Sequence, residues 1–554
     1  MFIFNIFYPL YIYQAIQENK DFSLVVKYIF FSLSAIFVVD AFNNYYNSYK
    51  KPIYDIRILK RVNEDIFNKR TDLDINTYED QEFYEKLNQT VQNVNNIFLE
   101  MQNSFLSCIF DALYLILTIG LMVNIDLSIG FFVAIPVVVS FGLGVKLNKN
   151  QYDLRMDLLN EDRKLNYVKN IFFLKDYSKE IKLTKISNSL MNFLNEAYKN
   201  SIYYIRMQGF NIGLKSAMME TLGRYIVYIG ALIYISYHVV VSKRINIGQF
   251  YFLVFSIITL SWYLTGTVRN ILKIGENGLY ISQYKEFCDL ETNIETSTGI
   301  EVSDTDTVII EFKNVYFKYP SEELYALEDI NLKFGNKEKV ALVGYNGAGK
   351  TTIIKLMLRL YDVTKGEVLL NDHNIKEYDI KSYRNIFGTV FQDYQIYANS
   401  FATNISMEDN IDYTKVAEAA RNSGIAEKIK GLENKYDTVY SREFDETGVV
   451  FSGGEIQKIA IARAFYNKKK ISIFDEPSSF LDPYAEKQVF EKMLSNSNDQ
   501  TTIFVSHRLS SAVLADRIYY IENGKVTEEG IHAHLIESKG KYYEVFQAQA
   551  YNYR

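Results

Sequence analysis

Cysteine is nearly absent: the 554-residue chain has two, Cys108 and Cys288. One lies in an apolar run and the other near a candidate domain boundary, so neither a disulfide framework nor a zinc site is supported. A basic excess is missing too. The formal net charge of -6 gives no case for nucleic acid, which would favour a basic face. The opening residues, MFIFNIFYPLYIYQAI, lack a basic leader and a small-residue cleavage site. They are therefore expected to belong to the mature membrane domain rather than to a cleaved signal. No internal repeat or low-complexity tract stands out.

What the chain does have is length and contrast. At 554 residues it is too long for one ordinary domain. Its mean hydropathy of -0.09 hides a split, because long apolar runs crowd the first half while the second reads as an α/β protein. Four stretches, 22–42, 104–123, 128–147 and 247–266, reach the roughly 20 apolar residues that a bilayer core demands. A fifth, 225–241, does so with its preceding turn, and a sixth, 2–16, is short for a span. Short polar links (QENKD, NIDL, SKRIN) join the first and second, third and fourth, and fifth and sixth spans. Long charged stretches, 43–103 and 148–216, separate the other neighbours. They hold apolar residues at helical spacing, as in YDIRILKRVNEDIF, so the spans are expected to continue as helices beyond the membrane. The first is rich in cations, among them Lys50, Lys51, Arg57, Lys60, Arg61, Lys69 and Arg70. The positive-inside rule makes these stretches, and both termini, cytoplasmic, with Lys243 and Arg244 as a small dissent.

Ionisable residues inside spans are costly and often functional. Asp111 falls in the third span, where lining a cavity competes with a structural role. Glu220 and Arg224, at i,i+4 near the fifth, suit a pair at the interface. His238 reads as an interfacial residue. The segment 291–307, acidic and rich in Thr and Ser, reads as a linker between residues 1–290 and 308–554.

After it, VIIEFKNVYFKY, YALEDINLKFG and KVALVG read as strands. The last runs into Gly344, Asn346, Gly347, Ala348, Gly349, Lys350 and Thr351, followed by Thr352 and an apolar helix. This is G-x-x-x-x-G-K-[ST] in the strand–loop–helix setting that the motif requires. Glycines let backbone N–H groups close on phosphate, Lys350 reaches the β- and γ-phosphates, and Thr351 offers a hydroxyl to Mg²⁺. A second strand, KKISIFDEP, ends in Asp475 and Glu476. The first suits Mg²⁺ coordination through water, and the second suits polarising an attacking water. Between these strands FSGGE, with Ser452, Gly453 and Gly454, opens a further helix and makes a second phosphate-binding terminus. One nucleotide rarely needs two such cradles from one lobe, so this one is expected to serve ATP held by a partner subunit.

With these motifs in place the chain resembles the ATP-binding cassette exporters, whose half-transporters dimerise head to tail over two ATPs. The resemblance implies a six-helix transmembrane bundle followed by an α/β P-loop nucleotide-binding domain with an α-helical subdomain. It makes Tyr319 the aromatic that stacks on adenine; among 45 tyrosines, its place ahead of the P-loop is what supports it. It makes Gln392 the glutamine that senses Mg²⁺ and the attacking water. Asp482 becomes the aspartate of the loop crossing the dimer interface, and His507 the histidine contacting the γ-phosphate. Glu446, in FDETG, looks like the exporter-type loop ahead of the signature. The tips 74–87 and 171–182 would be coupling helices resting on the cassettes. Three residues depart from the family pattern: Phe451 for Leu, Glu455 for Gln and Phe480 for Ala. Glu455 adds negative charge near the partner's nucleotide, and so bears on ATP affinity and rate.

The expectation is ATP-driven export by a homodimer in a bacterial plasma membrane, with Mg²⁺ as cofactor and a modified peptide as cargo. A heterodimer with a sister half-transporter is the alternative assembly. A lipid or drug exporter is the closest rival function, and a weakly hydrolysing regulatory membrane ATPase comes from another class.

Overall fold

The computed structural model describes residues 21–551, except 80, 222–224, 226, 293, 296–297, 304–306, 321, 478–489, 494–499 and 508. Side chains are also outside the described set at 81–93, 95, 130, 133–137, 139–140, 220, 227, 279, 510, 550 and 551. The run 2–16, Arg224, Phe480 and Asp482, and the side chain of Glu220, therefore lie outside the described residues. Contacts divide the chain into two compact units. One is Met1–Lys69 with Lys86–Leu290, the other Arg70–Glu85 with Glu291–Arg554.

The first unit is helical. Gln81–Val123, Ile129–Phe173, Ile186–Glu220 and Ile247–Cys288 run to 43, 45, 35 and 42 residues. A helix rises 1.5 Å per residue, so the last is about 63 Å long, roughly twice a bilayer's hydrocarbon core. Among the described residues, Phe22–Asp72, Asn96–Val123 and Ile247–Cys288 are long and apolar enough to cross a membrane, and Tyr228–Val240 is a shorter apolar helix. The stretch 128–147 falls within Ile129–Phe173, from its N-cap onward. Phe30, Phe31, Phe37 and Phe42 all stand exposed on Phe22–Tyr45. Such a face is costly in water and at ease in hydrocarbon, because helical backbone groups are already satisfied. Inside the unit, Tyr114, Met122, Ile235, Phe252, Leu253 and Leu260 share one apolar core. Asn246 and Gln249 close a capping box that starts the last long helix.

Asp111 and His238 each meet a hydroxyl. Asp111 accepts from the Thr267 hydroxyl at 3.4 Å. His238 meets Ser242 Oγ at 2.7 Å and the rings of Tyr234 and Tyr237.

The second unit holds two sheets. Strands β1 (Ile310–Phe317), β2 (Leu327–Phe334), β4 (Lys365–Leu370) and β5 (His373–Asn374) form an antiparallel sheet in the order β2-β1-β4-β5. The other sheet joins β3 (Lys339–Gly344), β6 (Phe387–Val390), β7 (Ile471–Asp475), β8 (Thr501–Ser506), β9 (Arg517–Glu522) and β10 (Lys525–Gly530). Its order is β10-β9-β3-β8-β7-β6. Strands β7 and β8 are buried along their whole length, as expected for parallel strands covered on both faces. A separate helical core gathers Phe401, Ile405, Val416, Ile429, Phe451 and Ile459.

Segment 291–307 is anchored within this unit. The Asp74 carboxylate accepts from the Ile294 and Glu295 amides at 3.1 and 2.9 Å. Glu295 pairs with Arg384 at 2.6 Å, and the Ile300 N–H donates to the Glu377 carbonyl at 2.8 Å.

Candidate nucleotide site

Strand order assembles the site. Strands β3, β8, β7 and β6 are parallel neighbours, with Val343 across from Ser506, Asp475 from Val505, and Phe474 from Val390. Their C-terminal ends therefore line up on one edge, where ligands bind open α/β sheets. The segments leaving that edge carry the P-loop, His507, Glu476 and Gln392.

In the P-loop, Gly347 and Gly349 have φ of 79° and 104°, values that a side chain disfavours. A Cβ on Gly349 would also sit 2.6 Å from Leu327 Cδ2. The loop turns into the helix Lys350–Met357, whose first amides face an incoming anion. Lys350 is buried, and its Nζ donates to the carbonyls of Gly344 (2.9 Å) and Tyr345 (2.8 Å). Burial lowers its pKa, opposed by the negative charges of Glu476 and Asp475. Asn346 is exposed in the loop and Ala348 is buried beneath it, its carbonyl accepting from Gly524.

Tyr319 is held rather than free. Its ring meets Phe317 and Tyr361 edge-on at 5.0 and 5.5 Å, and Lys355 Nζ lies 5.4 Å from its centroid. Its hydroxyl is 3.1 Å from Thr352 Oγ1. Tyr361 in turn donates to Glu79 Oε1 at 2.5 Å, on the short helix Ile75–Glu79.

The two adjacent carboxylates occupy different environments. Asp475 is 1% exposed, and its Oδ2 accepts from the Thr351 hydroxyl at 2.9 Å. Its Oδ1 is buried with no hydrogen-bond partner. Burial pushes the carboxyl up to about 6, with the Thr351 bond lowering it and Glu476 raising it. An orphaned carboxylate oxygen beside a P-loop hydroxyl fits a divalent cation. Among the described residues no three His, Cys, Asp or Glu side chains could hold a metal ion. A small hard cation here would thus draw most ligands from phosphate and water. Glu476 has φ of 48°, a left-handed backbone that is uncommon outside glycine and worth explaining at a site. Its Oε2 accepts from Gln392 Nε2 at 3.1 Å, and its Oε1 lies 3.4 Å from His507 Nδ1. Two residues that follow β6 and β8 thus converge on the carboxylate that follows β7.

Ser452 caps the helix Gly453–Tyr466. Ser452 and Gly453 are exposed, so this capped helix N-terminus faces solvent. Phe451, the residue where the family pattern has Leu, is buried and stacks on Phe401 at 4.5 Å and 20° between planes. Phe451→Leu is expected to destabilise the cassette by about 1 kcal/mol through the lost ring contact. Thermal unfolding would register this while the ATPase rate stays within about twofold. Glu455 is not a loose charge: its Oε2 accepts from the Ser452 N–H at 2.9 Å, and its Oε1 pairs with Lys428 at 3.1 Å. Glu446 stands exposed in the loop ahead of the helix. Four residues that no sequence motif marks belong to these contacts: Glu79, Tyr361, Phe401 and Lys428. Only tertiary packing brings them in.

The family described as ABC transporter matches residues 327–479. The subtilin transport ATP-binding protein SpaT of Bacillus subtilis is 28% identical over 543 residues, covering 96% of this chain and 86% of the relative. The ATP-dependent lipid A-core flippase of Escherichia coli (strain K12) is 36% identical over 265 residues. That alignment spans 48% of this chain and 45% of the flippase. A solved structure of a bacterial Atm1-family ABC exporter with ATP bound superposes with a TM-score of 0.83 at 20% identity, over 99% of this chain and 95% of that one.

Proposed function

We propose that this chain, an ABC exporter whose cassette hydrolyses ATP to drive export across a membrane, works as a homodimer. Each P-loop would face the SGG terminus of the other copy. Its fold is the six-helix bundle followed by the α/β P-loop domain that the motifs imply. The observation that carries the assignment of roles is the convergence of Gln392 and His507 on Glu476, next to the P-loop.

In this reading Tyr319 stacks on the adenine. Gly344, Asn346, Gly347, Ala348, Gly349 and Thr352 line the phosphates, and Lys350 leaves its carbonyl partners to reach them. Mg²⁺, when bound, would draw off the negative charge that develops on the phosphate, and Thr351, Asp475 and Gln392 are the residues that would hold it. Glu476 accepts a proton from the attacking water, His507 contacts the γ-phosphate, and Gln392 orients both water and carboxylate. Ser452, Gly453 and Gly454 close on the γ-phosphate from the partner, and Asp482 is assigned to the loop that crosses the dimer interface.

The tips 74–87, which hold the helix Ile75–Glu79, and 171–182 are proposed as coupling elements. For the first, the support is the Glu79–Tyr361 bond, on the ring that packs directly against the proposed adenine platform. Tyr361→Phe, which removes that hydroxyl alone, is expected to keep basal ATP hydrolysis within about threefold. Stimulation by a transported compound should fall sharply. Equal stimulation in both proteins, measured in nanodiscs, would remove the bond from the coupling route.

For cargo we propose a modified peptide, because the full-length relative is a subtilin transport protein. The flippase favours a lipid as the second reading. The bacterial plasma membrane, with both termini cytoplasmic, completes the proposal. The test is ATPase activity in nanodiscs across peptides, lipids and drugs. Stimulation by one class names the cargo, and a rate that no member of the panel changes counts against coupled export.

A further inference from the structure

The departures at the start of the Gly453–Tyr466 helix form one connected device. Glutamate at the third helical position suits a helix: it satisfies the Ser452 N–H and complements the positive end of the dipole. The same charge opposes an anion docking at that terminus. Lys428 answers this second effect. Its Nζ pairs with Glu455 Oε1 at 3.1 Å and lies 5.9 Å from the centre of the Phe451 ring. The lysine thus sits over the buried aromatic that replaces the family's leucine. Lys430, two residues on, is engaged by Glu427 at 2.8 Å and is not a ready substitute. The glutamate's charge is opposed by partial burial but favoured by the Ser452 amide and Lys428, which together hold its carboxyl below the ordinary value. It is therefore present at neutral pH and must be balanced.

We infer that Lys428 is a positioning residue for the nucleotide across the dimer interface: it holds Glu455 back against the Ser452 amide and cancels its charge. The helix terminus is thereby left open to the partner's γ-phosphate. This rests on the proposal that the SGG terminus faces the partner's ATP. The capping box engages the Ser452 and Glu455 amides, and the Gly453 and Gly454 amides, at the first two helical positions without intrahelical partners, are the ones offered to phosphate. Phe451 and Glu455 are then a matched substitution rather than damage to the motif, with Lys428 as the third member.

The test uses full-length protein in nanodiscs with Mg·ATP, comparing wild type, Lys428→Gln, Glu455→Gln and the double variant. Gln at 455 retains the capping-box geometry without the charge. Lys428→Gln is expected to raise the KM for ATP by about 3- to 10-fold with kcat changed less than twofold. That gap should shrink as KCl is added, since added salt screens an exposed charge. In the double variant KM should return to within about twofold of wild type. Two results overturn the inference. One is an unchanged KM in Lys428→Gln. The other is a raised KM that persists without the Glu455 charge, which would place the lysine directly on the phosphates or in a purely structural role.

The same four proteins in a Glu476→Gln background give a readout independent of turnover. There, the ATP concentration that half-closes the dimer is followed by energy transfer between labelled cassettes. If ATP closes all four at one concentration, the inference alone fails. If ATP closes none, the facing of SGG and P-loop fails, and this inference with it.

Discussion

Glu476→Gln is expected to abolish turnover while leaving ATP binding intact. The kcat for ATP should fall by about 10²-fold or more, the lower end of what a general base contributes. The substitution changes little else. A glutamine oxygen still accepts from Gln392 Nε2, now 3.1 Å from Glu476 Oε2, and the left-handed backbone at 476 is unaffected. What is lost is the negative charge that is proposed to take the proton from water and that faces His507 Nδ1 at 3.4 Å. The variant should therefore accumulate closed, ATP-loaded dimers, seen as tight retention of labelled nucleotide, and flux into inside-out vesicles should vanish with turnover. A variant hydrolysing at the wild-type rate would move the base elsewhere, with His507 the nearest candidate. Flux that continues unchanged in the variant would sink ATP-driven transport itself.

This carboxylate is legible in the sequence for a physical reason. KKISIFDEP carries a run of apolar residues that only a strand buried on both faces needs, and β7 is that strand. A carboxylate pair at its end must emerge at the sheet edge, because the chain has nowhere else to leave the core. The P-loop is legible for a related reason: Gly347 and Gly349 occupy backbone conformations that a side chain disfavours. Local stereochemistry writes such residues into the sequence.

Contacts between distant elements leave no such mark. Lys428 and Glu455 lie on different helices, and nothing in either segment announces the other. In the sequence Glu455 is an unopposed charge in a helix-opening motif; packing supplies its cation. Segment 291–307 has the polar composition of a linker, yet Asp74 and Arg384 hold it by hydrogen bonds whose partners are far along the chain. Residues 70–85, which sequence order puts with the membrane domain, cluster with the cassette. Composition reports solvent preference, and it cannot report which neighbour satisfies a polar group.

Asp475→Asn should separate stability from function at a single atom. In the free cassette this carboxyl is raised to about 6 from 3.8, so the folded state holds its proton more tightly than the unfolded chain. The stabilisation from that proton is fully present below about pH 4 and is lost as pH rises through about 6. At pH 7 the buried, ionised carboxylate then costs the fold on the order of 3 kcal/mol. Asparagine removes the charge and can still accept from Thr351, now bonded at 2.9 Å. Its amide hydrogens would lie where Oδ1 is already buried without a partner, which returns part of the gain. The nucleotide-free variant should gain about 1–2 kcal/mol at pH 7, a rise of about 2–8 °C in the cassette's Tm, and the gain should disappear near pH 4. With Mg·ATP the order reverses. Wild type rises by ligand binding, while the variant, lacking a carboxylate for the cation, rises little and hydrolyses at least about 10²-fold more slowly. Calorimetry with and without Mg·ATP at both pH values decides it. Identical Tm shifts in the two proteins would mean that Asp475 does not hold the cation, and that its orphaned oxygen is merely a cost the fold tolerates.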